Sequence, residues 1–539
     1  MEQIAREHTI LLTADTARLV AAHFHLRALP PQDVKGLTNP LEVFELIGER
    51  AGATPPRRFD PGPFVSRSAE TGAIAEAWAA AAAGCGQVVL VRGEAGLGKS
   101  RLLAETLLRR PDGEGLTGGI IPGATASLGA TIGIAYAQGR PLRPRGYQLA
   151  AELVASGLDL ETPESGTVEP EALKARLAAI DSGALFAPLA VVLGLTVTEP
   201  EWAALTPSQR RDRMQGAICQ VVERVAARRP LVVVAEDLHW VDPESLEVLD
   251  RVIARLSALP ILLVATCRPE WHSHWRAAPC LRELQLSPLP EKSLRCLLAA
   301  RLEGPHANTL AQAVAHRAGG NPLFAELMLS ALADAGGLID LGSHFHVLRE
   351  VSPDQLPPTI RGLLSERVDR LPALEKRVLR AASVIGPRNS ITLLARVSEC
   401  EVETLHAVAA RLQSAGFLDV LAGPELTLVF RHELMRETVY ADLLLRTRRE
   451  MHGRVVEALQ GLEDEQRHSL VEDLAEHARH ASRWTEAARY AWLGAQKALA
   501  RDAHVEAAYF LRSAIASVEH WPDASERAGF ALRMHLAIR

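Results

Sequence analysis

Two groups of residues carry the chemistry that this sequence can do. Residues 93–100 read Gly-Glu-Ala-Gly-Leu-Gly-Lys-Ser, a glycine loop closed by Lys99 and Ser100. The loop follows the apolar run Gln-Val-Val-Leu-Val-Arg at 87–92 and opens a helical pattern through Leu102, Leu103 and Leu107. A strand feeding such a loop turns successive backbone N–H groups inward, and the helix N-terminus adds partial positive charge. Glycines at 93, 96 and 98 can take backbone angles that other residues avoid, so the loop can wrap a phosphate. Lys99 then reaches β- and γ-phosphate oxygens, and the Ser100 hydroxyl can ligate Mg²⁺. The chain is expected to bind a nucleoside triphosphate with Mg²⁺.

The second group is acidic. A run Leu-Val-Val-Val-Ala at 231–235 ends in Glu236 and Asp237, followed by Leu-His-Trp-Val-Asp at 238–242. Acids at the C-terminal end of a parallel strand sit in the crevice where ligands bind. One acid should hold Mg²⁺ through water and the other orient the attacking water, with Asp237 favoured on the metal side. The strand carrying them is expected beside the loop strand. A third run ends in Thr-Cys-Arg-Pro at 266–269, where Arg268 is the candidate to face a γ-phosphate.

These residues need a sheet to hold them. Three continuous apolar runs, 87–92, 230–235 and 260–267, read as strands covered on both faces. Strands and helices alternate from about 64 to 289, the signature of a parallel α/β sheet. A fourth strand is expected near 118–121, inside a Gly- and Ala-rich stretch at 113–139 that resists assignment. Beyond 289 the pattern turns helical, apart from a polar–apolar piece at 344–348 and a hairpin at 417–430 turned at Gly423-Pro424. From about 470, helices of roughly fifteen residues follow one another, and Glu-Ala-Ala recurs at 486 and 506. That spacing is not the tetratricopeptide period, so an α-solenoid of helix pairs is the expectation.

The 539 residues allow roughly two to four domains. With 48% hydrophobic residues a large core is available, and a net charge of −6 argues against a broad grip on nucleic acid. Six widely spaced cysteines without a C-x-x-C pair fit reduced thiols in a cytoplasmic protein. The longest apolar stretch, 184–197, is too short to span a membrane and contains Pro188. The His-x-His pairs at 23/25, 272/274 and 344/346 lack partners in metal spacing. His477 and His480 share a helix face and are expected to pack between helices. Ser66 and Ser68 lack a catalytic triad, and Arg140, Arg143 and Arg145 read as a solvated loop.

Taken in order, these motifs resemble the STAND ATPases, signal-transducing relatives of the AAA+ and origin-recognition ATPases. The matching residues are Phe-Val-Ser-Arg at 64–67, the loop at 93–100, the Glu-Asp-Leu-His-Trp core at 236–240, Gly-Gly-Asn-Pro-Leu-Phe at 319–324 and Leu-Pro-Pro-Thr-Ile at 356–360. A last match, Phe-Arg-His-Glu-Leu at 430–434, leads to Tyr440 and His452. The resemblance implies an α/β P-loop ATPase domain at 64–289, a helical lid at 290–355, a winged-helix domain at 356–455 and a helical-repeat arm, TPR-like and incomplete, at 456–539. It implies ATP and ADP as ligands. Phe64 and Val65 would lie near the adenine, Arg101 would join Lys99 and Ser100 at the nucleotide, and the Asn321-Pro322 turn would contact it from the lid. His432 would be the winged-helix histidine that senses ADP. Ser66 and Ser68 depart from the family's usual Gly and Glu.

A second resemblance covers 1–50, ahead of a proline-rich linker at 51–63. Residues 9–20 and 34–44 look like the C-terminal end of a class III nucleotide cyclase domain, with Lys35 matching a phosphate-contacting lysine. The metal-binding aspartates of such a domain have no counterpart here, so the expectation is a short α+β remnant, a fragment of a cyclase fusion that makes no cyclic AMP alone. The expected function is a bacterial ATP-binding, ATP-hydrolysing signalling switch that regulates an attached or partner domain. Its arm would take a protein partner or signal ligand, and self-association is left open. The rivals are an active cyclase, a DNA-associated regulator or initiator ATPase, and a nucleotide-binding scaffold without turnover.

Overall fold

The computed structural model describes strands at 10–13, 24–32 and 41–49, then residues 64–107, 132–139, 146–160 and 168–538, apart from 273–274, 276–277, 305, 341–343, 350, 352–355, 422–424, 502 and 522–523. Near the N-terminus, β1 (Ile10–Thr13) and β2 (Phe24–Gln32) both pair antiparallel with β3 (Leu41–Glu49), which lies between them. Strand β3 contains the run Leu-Glu-Val-Phe-Glu-Leu-Ile at 41–47, whose imperfect apolar alternation reads as a strand, and extends two residues beyond it. Lys35 and the linker at 51–63 fall outside the described residues.

The central sheet is parallel and five-stranded. Its strands are β4 (Gln87–Arg92), β5 (Gly133–Gln138), β6 (Leu231–Glu236), β7 (Ile261–Cys267) and β8 (Leu281–Gln285), in the spatial order β5-β6-β7-β4-β8. The three apolar runs form the middle of it, as their lack of polar positions requires. Alternate residues feed two cores. Val88, Leu90, Val233, Ala235, Leu263 and Ala265 point to one face. Val89, Val91, Val232, Val234, Leu262 and Val264 point to the other. Helices α1 (Ser68–Ala82) and α2 (Lys99–Leu107) cover the second face through Ile74, Ala77, Leu102 and Leu103. Helices α3 (Gln148–Gly157), α4 (Pro207–Arg228) and α5 (Pro243–Ile253) cover the first.

Two features differ from expectation. The acid strand β6 is not beside the loop strand β4; β7 lies between them, in register with both. The loop and the acids meet because side chains from β6 and α2 reach across the end of β7. The two outer strands were also not recognised as such. The strand expected at 118–121 lies outside the described residues, and β5 forms at 133–138, the end of the unassigned stretch. Strand β8 reads Leu-Arg-Glu-Leu-Gln, a half-exposed edge without an apolar run.

Beyond the sheet the chain is mostly helical around one large further core, with two smaller clusters among the last helices. Helices α6 (Glu291–Ala299), α7 (Ala307–Ala318) and α8 (Pro322–Asp334) come first. A small sheet follows, β9 (Leu302–Glu303), β10 (Leu338–Asp340) and β11 (Phe345–Val347), ordered β10-β11-β9. It contains the polar–apolar piece expected at 344–348. Then come α9 (Ile360–Asp369), α10 (Ala373–Ile385), α11 (Ile391–Ser398) and α12 (Val402–Ser414). The expected hairpin is formed by β13 (Leu418–Leu421) and β14 (Thr427–Phe430), with β12 (Arg388–Ser390) on the outer side of β14. Its turn at Gly423-Pro424 lies outside the described residues.

Helices α13 (Glu433–Ala441), α14 (Leu445–Gln460), α15 (Val471–His480), α16 (Trp484–Ala500), α17 (His504–Val518) and α18 (Ala524–Ile538) complete the chain. The repeated alanines serve close packing. Ala487, Ala488, Ala491, Ala495 and Ala507 are buried, and a Cβ on Gly494 would sit 3.4 Å from the Phe510 ring. His477 and His480 do pack between helices: His452 of α14 bonds His477 at 2.8 Å and stacks on His480 with ring centroids 4.7 Å apart. The Tyr440 hydroxyl meets the other His452 ring nitrogen at 2.9 Å, tying α13 to this junction. Burial beside two other imidazoles pushes His452 far below the usual histidine range.

Candidate functional site

The glycine loop leaves β4 at the C-terminal edge of the sheet. Gly96 and Gly98 have φ of +84° and +89°, the left-handed region where a side chain is strained. A Cβ on Gly96 would also lie 2.7 Å from the Asn321 side-chain oxygen. Helix α2 begins at Lys99, whose ammonium bridges the loop, donating to the carbonyl of Gly93 at 2.8 Å and of Glu94 at 3.1 Å. Burial lowers the Lys99 pKa, and the Asp237 carboxylate opposes that shift. An amine held inside a ring of backbone, followed by the first N–H groups of a helix, is the geometry that a polyphosphate fits.

Glu236 is the last residue of β6 and is only 6% exposed. Ser100 Oγ donates to one carboxylate oxygen of Glu236, and the Tyr136 hydroxyl reaches the other at 3.3 Å. Burial pushes the Glu236 carboxyl up to about 6, while the bond from Ser100 pulls the other way. Asp237 leaves the strand in left-handed backbone, φ +58°. It is held on two sides: its N–H donates to Thr266 Oγ1 at 2.9 Å, and its carboxylate accepts from Gln138 Nε2 at 2.9 Å. Ser100 and Glu236 thus offer a hydroxyl and a carboxylate at one point, with Asp237 next in the chain, and these are oxygen donors that suit Mg²⁺.

Arg268 follows β7 at the same edge. It is already paired, its guanidinium 3.1 Å from Glu437 on α13 and 5.8 Å from the centre of the Trp240 ring. His239 sits on a short 3₁₀ turn, Leu238–Trp240, anchored by buried Leu238. Both of its ring nitrogens are buried without a hydrogen-bond partner within the protein. Burial holds its pKa below the usual histidine range, with the Asp237, Arg268 and Lys99 charges all acting on it.

The helical part closes over the loop directly. Asn321 caps α8 by accepting from the Phe324 N–H at 3.2 Å, with Pro322 at the first helical position. Its amide nitrogen donates to the Ala95 carbonyl at 3.1 Å, inside the glycine loop, and the Leu323 N–H approaches the Gly96 carbonyl at 3.4 Å. Val65 packs against the helical core and Phe64 against the sheet. Ser66 takes φ +55°, a backbone where a glycine would be unstrained, and bonds the Ser293 hydroxyl on α6. Arg67 is buried and donates to Leu97 O at 3.3 Å and Ser287 O at 2.8 Å, so it braces the loop from below.

Two expected residues lie apart from this cluster of bonds. Arg101 points along α2 and pairs with Glu105 at 2.7 Å. His432 precedes α13, and burial pushes its pKa down to about 4. The bond from α13 to the site runs through Glu437 rather than His432. Residues that sequence reasoning did not single out are Tyr136, Gln138, Thr266, Glu437 and His239. Thr266 was legible as the one hydroxyl in an apolar strand. Glu437 carried no signal, because nothing in sequence relates α13 to β7.

Residues 63–264 match the AAA ATPase domain family. A nucleotide-binding P-loop fold therefore occupies the sheet region. Over 534 residues the chain is 28% identical to an uncharacterized protein of Rhizobium meliloti (strain 1021), covering 96% of this chain and 49% of that one. It thus spans about half the length of that curated relative. Among solved structures, a STAND protein with a tetratricopeptide repeat sensor from Pyrococcus horikoshii aligns at 14% identity and TM-score 0.46, over 89% of this chain and 65% of that one. Drosophila ORC bound to DNA aligns at 12% identity and TM-score 0.31, over 76% of this chain and 95% of that one. Among the described residues, no helix is long and apolar enough to cross a membrane.

Proposed function

We propose that the chain is a STAND-type switch that binds ATP with Mg²⁺ and hydrolyses it to reset its own conformation. On this reading the ATPase domain spans 64–289, the lid 290–355, the winged helix 356–455 and the TPR-like arm 456–539, with a cyclase-like segment at 1–50. The observation that carries it is the joint at the phosphate edge. The glycine loop bonds Asn321 of the lid side, and Arg268 bonds Glu437 of α13. A nucleotide entering that edge competes for both contacts, so its binding shifts the balance between arrangements of the parts.

The residue roles follow from the geometry. Lys99 exchanges its two loop carbonyls for phosphate oxygens. Glu236, bonded to Ser100, is the metal-side carboxylate, which revises the preference for Asp237. Asp237, fixed by Thr266 and Gln138, is placed to orient the attacking water and accept its proton. Bound Mg²⁺ would neutralise phosphate charge as it develops. Val65 and Pro322 would line the nucleotide's surroundings, Arg101 would reach the nucleotide only by leaving Glu105, and His432 would support the start of α13. The arm would present a partner or signal ligand to the lid through its helices.

The test is release of inorganic phosphate from ATP by the purified chain, alongside Glu236→Gln and Asp237→Asn. Each variant keeps side-chain size and removes a charge. At least one should abolish turnover while nucleotide binding persists, because metal and water positioning matter more in the transition state than in the ground state. Parent-like hydrolysis by both variants rules out the assignment of the acids. Binding without hydrolysis by the parent itself points to the scaffold reading.

A further inference from the structure

We propose that His239 is the residue that tells nucleoside triphosphate from diphosphate, its imidazole bonding the terminal phosphate. The inference rests on the ATP site described above and assigns a group within it.

The starting point is an unmet bond. Both His239 ring nitrogens are buried and neither has a partner within the protein. Buried polar groups are nearly always partnered, and leaving one unmet costs about 1–3 kcal/mol. Such a ring is expected where a ligand completes its bonding. The neighbourhood identifies the ligand. The charges that act on the ring come from four elements: Asp237 at the end of β6, Arg268 after β7, Lys99 at the start of α2 and Glu437 on α13. The ring packs beside Trp240, whose own ring lies 5.8 Å from the Arg268 guanidinium, so it stands within electrostatic reach of the phosphate edge and bonds none of these groups. Lys99 has two loop carbonyls and Arg268 has Glu437. Those cations must break contacts to meet a phosphate, and the imidazole breaks none.

Its position is also fixed. Asp237 turns the chain through left-handed backbone, Leu238 is 1% exposed beneath the turn, and the Trp240 ring lies 5.1 Å from the imidazole. A group held in place and unbonded loses little on binding, so its bond discriminates well between ligands that do and do not reach it. A triphosphate carries one phosphate beyond the two that a diphosphate shares with it, and that added group is the one assigned to the imidazole.

The experiment titrates fluorescent ATP and ADP analogues against the parent, His239→Phe, His239→Gln and Lys99→Ala. His239→Phe keeps an aromatic ring and removes both nitrogens. Its ATP affinity should fall about tenfold, the equivalent of one hydrogen bond to a charged group, with ADP affinity within twofold of the parent. His239→Gln retains a donor and an acceptor and should recover most of the ATP preference. An unchanged ATP-to-ADP ratio in His239→Phe overturns the proposal, as does an equal loss for both nucleotides or failure of His239→Gln to do better than His239→Phe. If Lys99→Ala binds both nucleotides like the parent, the ATP site itself is wrongly placed and the inference falls with it.

Discussion

At the scale of single residues, the site works by partners that hold each charged group in a usable state. Lys99 is kept near the loop by two carbonyls, and Glu236 shares a proton-bearing contact with Ser100. Lys99→Ala removes charge-assisted bonds worth roughly 1.5–3 kcal/mol each and should weaken ATP binding by about 10- to 100-fold in a labelled-nucleotide titration. Thr266 offers a finer test. Thr266→Val preserves shape but leaves the Asp237 N–H without its acceptor. Asp237 then loses its fixed orientation, so turnover should drop at least severalfold while the ATP dissociation constant stays within about threefold. A parent-like turnover number in Thr266→Val would remove Asp237 from the water-orienting role.

At the scale of elements, helix α8 and the glycine loop form one unit. Asn321 both caps the helix and bonds the Ala95 carbonyl. Asn321→Ala should cost about 1 kcal/mol in a denaturant titration, the usual loss for an N-cap, and loosen the loop at the same time. Gly96→Ala is the sharper perturbation. Its φ of +84° disfavours any side chain, and the new Cβ would meet the Asn321 oxygen at 2.7 Å. ATP affinity should fall more than tenfold, measured by the same nucleotide titration, while Gly72→Ala in α1, with nothing within 4 Å of a Cβ, should leave it unchanged. Equal affinities for the two variants would detach the loop's shape from nucleotide binding.

At the scale of the whole molecule, the helices at 484–500 and 504–518 are packed against the sheet region. Ala498, Ala503 and Ala507 belong to the core on the α5 face of the sheet. Glu506 accepts from the Gly146 N–H at 2.8 Å, and Glu244 on α5 accepts from the Val505 N–H at 3.1 Å. Glu506 also faces Arg501 at 3.1 Å, and Arg501 in turn faces Glu472, which Lys497 neutralises at 2.9 Å. Burial pushes the Glu506 carboxyl up to about 7, with Arg501 pulling down and Glu472 and Glu244 pushing up. A docked Glu506 therefore holds a proton that an undocked one releases. Docking is favoured below the ordinary glutamate range, and that advantage is lost as pH rises towards about 7. Limited proteolysis of the arm should be faster at pH 8 than at pH 5.5, and Glu506→Gln, which needs no proton, should flatten the profile. The same rate ratio in parent and variant would exclude Glu506 as the titrating group.

The sequence by itself determined the loop, the acid pair and the three central strands. Each depends on local chemistry: glycine's backbone freedom, the helix N-terminus and continuous apolar runs that only a doubly covered strand can bury. It also placed the hairpin at 417–430, because two short apolar runs around a turn pair with each other. The remainder depended on contacts between segments far apart in the chain. Strand β7 came to lie between β4 and β6 because sheet order is set by how helices pack on both faces, not by the order of motifs. Edge strand β8 and strand β5 lacked a strong pattern, since an edge needs little apolar surface and β5 carries alanines and polar residues towards the site. Ser100 turned to Glu236 rather than Asp237 because Glu236 ends the straight strand while Asp237 has already turned away. The pairs Arg268–Glu437, Asn321–Ala95 and Glu506–Gly146 span between 169 and 360 residues of sequence. No local pattern can encode which partner such a side chain will meet; only the packing of one core against another decides it.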